Sequence, residues 1–103
     1  MDLQATSVTR ADSLREALRR LDAAGTGVLL LQQPDGTFER TVTDGDIRRL
    51  LLDGATLDDS LERLARIRSV VIQSGQASQD ALELMNTHSI NHLPVVDGQG
   101  RVV

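Results

Sequence analysis

The chain has 103 residues, a net charge of −4 and no cysteine, so it can bury one modest core and has no disulfide framework, thiolate chemistry or Cys-based zinc site. At 40% hydrophobic and 25% charged residues it has the balance of a soluble globular protein, with neither a membrane-length apolar run nor a basic-then-apolar leader, which makes the cytoplasm the expected location. Phe38 is the single aromatic residue; with little to stack bases on and an acidic surface, nucleic acid is excluded as a partner.

In chain order, residues 8–11 are extended in character. Asp12 or Ser13 then caps a helix, with Glu16 as the capping-box partner of Ser13. Leu14, Ala17, Leu18 and Leu21 form its apolar face, and Gly25 closes it in the left-handed region. Residues 27–31 read as a buried strand and 32–36, with Pro34 and Gly36, as a turn. Residues 37–43 return as a second strand, so the two form a hairpin. A second helix follows with Ile47, Leu50 and Leu51 on its face, closed by Asp53 and Gly54. Residues 57–65, with Leu57, Leu61 and Leu64 aligned, predict a further short helical stretch. Then come a strand-like run at 69–73 and a helix over 78–87 with Ala81, Leu82 and Met85 on one face. A strand at 92–96, a turn at 97–100 and the start of a returning strand at 101–103 end the chain.

This order of elements occurs twice. Displacing the sequence by 64 positions lays Ala17 on Ala81, Leu18 on Leu82, Leu29 on Leu93 and Gly36 on Gly100. The expected organisation is a first repeat with its connecting helix over 1–66 and a second over 67–103. The counterparts of Thr43 and Asp46 fall beyond position 103, so the second copy is expected to be truncated.

No nucleophile with a supporting base is visible and no Gly-x-Ser-x-Gly elbow occurs, so catalysis is not expected of this chain. His88 and His92 are four apart, but Asn91 and Pro94 end the helix between them and no third ligand is near, so no metal site is expected. The informative stretch is Thr43-Asp44-Gly45-Asp46, where a strand runs into a helix. One reading is structural: Thr43 or Asp44 caps the helix, and acidic residues suit its first turn. The other is a nucleotide site, in which first-turn N–H groups and the Thr43 hydroxyl receive a phosphate. Asp46, an acceptor-only carboxylate, then takes both hydroxyls of a ribose. The two readings coexist if one residue caps while the other binds, which assigns Asp44 a capping contribution of ~1 kcal/mol.

The repeat, its length, the run from Phe38 to Arg49 (Phe-Glu-Arg-Thr-Val-Thr-Asp-Gly-Asp-Ile-Arg-Arg) and His92-Leu-Pro-Val-Val-Asp97 together resemble the cystathionine-β-synthase (CBS) domain family. The resemblance implies an α/β (α+β) fold of two βαββα repeats related by a pseudo-twofold, with small mixed sheets packed against helices and the second repeat incomplete. It implies a regulatory module binding an adenine nucleotide, AMP, ADP or ATP, with no other cofactor. By the family's Thr-x-x-Asp signature, Asp46 would hold the ribose and Thr43 a phosphate or the nucleoside edge. Thr26, Gly27, Val28 and Val8 would line the base pocket, and Asn91 and His92 would add phosphate contacts. The enzyme served most resembles a sugar-phosphate nucleotidyltransferase, and next an arabinose-5-phosphate isomerase. A purely structural dimerisation module with an empty pocket is the rival reading. A homodimer is expected in either case, through faces carrying Ile47, Leu50 and Leu51 from one half and Leu82 and Met85 from the other. Arg40 departs from the glycine of many relatives and either alters the pocket or supplies a phosphate partner, with a solvated edge charge the favoured reading; Arg48 and Arg49 are placed to steer an anion but are read as solvated charges on the helix surface.

Overall fold

The computed structural model describes residues 5–25, 27–66, 71–74, 82, 83, 85, 86 and 94–103. Strand β1 (Ser7–Thr9) leads to helix α1 (Leu14–Ala24). The Ser13 hydroxyl caps α1 by accepting from the Glu16 N–H at 3.1 Å, while the Glu16 carboxylate turns along the helix to Arg19 and Arg20 rather than back to the cap. Gly25 closes α1 at φ 68°, donating to the Leu21 carbonyl, a left-handed conformation that costs glycine nothing. Strand β2 (Val28–Gln32) and strand β3 (Phe38–Thr43) make the expected antiparallel hairpin, and β1 adds to β2 in parallel, giving the order β1-β2-β3. Helix α2 (Asp44–Leu52) starts without a loop at the end of β3.

The apolar face of α1 (Leu14, Ala17, Leu21) meets Val8, Leu29, Leu31, Val42 and Ile47 in one aliphatic core. Ile47 is fully buried, and Leu50 and Leu51 pack against that core. Much of the helix face expected at a dimer interface is therefore covered within the chain. No helix among the described residues is long and apolar enough to cross a membrane.

The helix expected over 57–65 is replaced by a bound segment with one 3-10 turn (Leu61–Arg63). Its backbone pairs with the start of α1: the Leu14 and Arg15 N–H groups donate to the Asp59 and Leu57 carbonyls at 2.9 and 3.0 Å, and the Leu61 N–H donates to Asp12. These bonds satisfy two of the N–H groups that a helix start leaves without partners and tie the segment to α1. Leu61 and Leu64 still bury their side chains, as their spacing suggests.

Strands β4 (Ile72–Gln73) and β5 (Val95–Val96) pair in parallel, Ile72 with Val95 and Gln73 with Val96. This is the β1–β2 register, Val8 with Leu31 and Thr9 with Gln32, displaced by 64 residues. The antiparallel bridge between Val96 and Val102 likewise repeats the Gln32–Phe38 pair. Residues 69 and 70 of the expected strand run, and most of 78–87, lie outside the described residues; Leu82, Glu83, Met85 and Asn86 are helical. The halves meet at their turns, where the Phe38 N–H donates to the Gly100 carbonyl at 2.8 Å and Arg101 to the Asp35 carbonyl at 2.9 Å.

Candidate functional site at the start of α2

Thr43 ends β3 opposite Val28 and is also the N-cap of α2. Its hydroxyl accepts from the Asp46 N–H at 3.3 Å, and Asp46 answers with Oδ2, which accepts from the Thr43 N–H at 2.8 Å and the Thr43 hydroxyl at 3.1 Å. This reciprocal box fixes the Asp46 carboxylate relative to both strand and helix. The cap therefore belongs to Thr43 and Asp46, and Asp44 is not part of it. Asp44 is exposed and pairs with Arg48 one turn along.

Two arginines complete the site. Arg40 is buried, its side chain 5% exposed, and its guanidinium lies 3.3 Å from Oδ2 of Asp46. It also donates to the Ala65 and Thr41 carbonyls at 2.7 and 3.0 Å. The expected solvated edge charge is thus an internal cation. Strand alternation puts Arg40 on the face of buried Val42, where it is tolerated because a carboxylate and backbone oxygens receive it. Arg49, with a side chain 70% exposed, donates to the other oxygen, Oδ1, at 2.7 Å. Burial pushes the Asp46 carboxyl up, but hydrogen bonds from the Thr43 N–H, Arg49 and the Thr43 hydroxyl, with the Arg40 charge, hold it below the usual aspartate range. Asp46 is therefore ionised at neutral pH.

Among the other expected site residues, the structure places Val28 beside Thr43 and Gly27 just before it, exposed at φ 77°. Val8 pairs with Leu31, three residues along β2 from Val28, and is 2% exposed. It supports the site from the core and presents no wall to solvent. Thr26, Asn91 and His92 lie outside the described residues, as does His88. Sequence reasoning favoured solvated charges for Arg40 and Arg49 and did not place either on Asp46, although two signals were present. The alternation of β3 points Arg40 inward, and the i, i+3 spacing of Asp46 and Arg49 makes them neighbours on α2.

A cleft of about 610 Å³ opens elsewhere, lined by Thr9, Arg10, Gln32, Pro34, Glu39 and Arg66 among others. Its buried cation, Arg10, is engaged by Glu39 and by the Leu61 and Leu64 carbonyls.

Comparison with known proteins agrees with this architecture. A CBS domain protein from Pyrobaculum aerophilum, solved in complex with AMP, superimposes with a TM-score of 0.82 at 24% identity, over 95% of this chain and 76% of that one. The fold is that of a CBS-domain pair. The CBS domain pair of protein MJ0100, solved with 5′-methylthioadenosine and S-adenosyl-L-methionine, gives a TM-score of 0.80 at 21% identity, over 94% of this chain and 79% of that one. In sequence, residues 70–103 match the CBS domain family model. The arabinose 5-phosphate isomerase GutQ of Salmonella typhi is 28% identical over 95 residues, 92% of this chain. This chain spans 30% of the length of that relative.

Proposed function

We propose that this chain is a regulatory CBS pair that takes an adenine nucleotide at the start of α2 and passes the occupied state to an attached or partner enzyme acting on a sugar phosphate. The observation that carries the reading is Asp46: an ionised carboxylate held rigidly at a helix N-terminus, with Oδ1 on the solvent side. Such an oxygen accepts from a ribose hydroxyl, and the adjacent helix start favours a phosphate. The AMP bound in the Pyrobaculum protein supports this ligand class. Of the two enzyme classes that the motif resembles, the isomerase relatives support the arabinose-5-phosphate isomerase and give no support to a nucleotidyltransferase. Thermal melting with AMP, ADP, ATP and S-adenosylmethionine tests the reading. A ligand at ~100 times its dissociation constant stabilises by about 2.7 kcal/mol, a shift of several degrees at this size. If none of the four shifts the melt, the empty dimerisation module replaces it.

We also propose self-association. Leu52 and Leu82 are 79% and 62% exposed, and apolar helix surface of this kind favours a partner face. Sedimentation at tens of micromolar is expected to show a dimer; a monomer contradicts it.

A further inference from the structure

The inference rests on the nucleotide reading above and concerns which ligands the site prefers. An ionised carboxylate has about four lone-pair positions. On Asp46 the inner oxygen, Oδ2, faces the Thr43 N–H, the Thr43 hydroxyl and Arg40, all fixed by β3 and the first turn of α2. Among the described residues the outer oxygen, Oδ1, receives Arg49. A ribose therefore finds one position free while Arg49 stays and two once it leaves. The sequence reading, in which Asp46 takes both hydroxyls of a ribose, then rests on Oδ1.

Arg49 is also placed for the second half of such an exchange. Its guanidinium folds back over Gly45: a Cβ added there would lie 3.6 and 3.9 Å from its two terminal nitrogens. Gly45 belongs to the first turn of α2, where a phosphate attracted by the helix end would lie. The Arg49 side chain is 70% exposed, which leaves it able to move from Oδ1 toward such a phosphate.

We propose that Arg49 is a charge-selecting latch, covering Asp46 in the empty site and transferring to the phosphate of a bound nucleotide. A neutral nucleoside gains the second position only by breaking the Arg49–Asp46 pair without replacing it. A nucleoside monophosphate exchanges one charged partner for another. The site therefore prefers AMP to adenosine, and Arg49 sets that preference.

Titration calorimetry of AMP and adenosine into the wild type, Arg49→Ala, Arg48→Ala and Asp46→Ala tests this. Arg49→Ala is expected to weaken AMP while adenosine binds as tightly as before or more so. The AMP-to-adenosine preference should fall at least about tenfold, the size of one charge-assisted hydrogen bond. Arg48, paired with exposed Asp44, is the neighbouring control, and its removal should leave the preference unchanged. An Arg49→Ala variant that keeps the wild-type preference, or weakens both ligands equally, overturns the latch. If Asp46→Ala loses both ligands while Arg49→Ala keeps the preference, the latch fails and the nucleotide site stands. A wild type that binds neither ligand, or an Asp46→Ala variant that binds both normally, defeats the nucleotide reading and the latch with it.

Discussion

Two buried arginines tie residues 61–65 to the first sheet, and their surroundings differ. Arg10 meets Glu39 through both carboxylate oxygens, its Nε 3.0 Å from each, and also donates to the Leu61 and Leu64 carbonyls. The exposed Arg66 stays 3.7 Å from Glu39, beyond hydrogen-bond reach. Arg40 meets a carboxylate that also closes a helix cap, and the exposed Arg49 reaches that carboxylate at 2.7 Å. Both pairs are cation–carboxylate contacts with little exposure. The first is bound further to the Leu61 and Leu64 carbonyls and serves as an anchor. The second turns one oxygen outward beside a helix start, in contact with a side chain that water can displace. What separates anchor from candidate site is the helix start beside Asp46 and the exposed arginine bonded to its Oδ1.

The comparison is broken most severely at Arg10. Arg10→Met takes from Glu39 its hydrogen-bonded cation, leaving Arg66 at 3.7 Å, and from the Leu61 and Leu64 carbonyls a charged donor; removing one member of a buried pair costs about 3–5 kcal/mol. Urea unfolding is expected to show that loss as a lower midpoint; a change below 1 kcal/mol, roughly the size of a surface pair, would deny the anchor role. Arg40→Ala should cost less, about 1–3 kcal/mol, because Asp46 keeps its bonds to Thr43 and Arg49. A larger loss for Arg40→Ala than for Arg10→Met reverses the comparison.

A smaller effect appears on the acid side. The Arg10 hydrogen bond holds the Glu39 carboxyl below its usual range against the opposing effect of burial, and Asp46 is lowered as well. A carboxyl depressed in the folded state contributes stability that is complete above its unfolded pKa, about 4, and is lost as pH falls through the folded value. Stability measured by denaturant should therefore be flat with respect to these two groups at neutral pH and decline below about pH 4. Glu39→Gln should make that decline shallower, and an unchanged slope would remove Glu39 from the account. Smallest of all is Asp44→Ala, which removes an exposed pair with Arg48 and is expected to cost under about 0.5 kcal/mol. A loss near 1 kcal/mol would return the cap to Asp44.

Local rules carried much of the first half. Helix α1, the hairpin and the left-handed Gly25 followed from spacing, turn chemistry and capping, because each is decided within a few residues. The 64-residue repeat was legible for a related reason: its matched leucines and glycines occupy equivalent positions in strands and turns, and the β4–β5 register shows the same displacement. The segment at 57–65 was misread because its leucine spacing is helical while its carbonyls are claimed by α1 and Arg10. Arg10 and Glu39 are 29 residues apart, and nothing local announces that they meet. At the site, Thr43 and Asp46 were readable from their spacing. The division of labour between the two oxygens of Asp46 was not, since it depends on where Arg40 packs.

The central claim is that Asp46, and not Asp44, receives the ribose of an adenine nucleotide. Calorimetric titration of AMP into the wild type, Asp46→Ala and Asp44→Ala tests it most directly, with each variant's melting curve as the check on folding. The account predicts that Asp46→Ala weakens AMP at least about tenfold, as one charge-assisted hydrogen bond requires, while Asp44→Ala binds as the wild type does. Abolished binding in Asp44→Ala with affinity retained in a folded Asp46→Ala would contradict it.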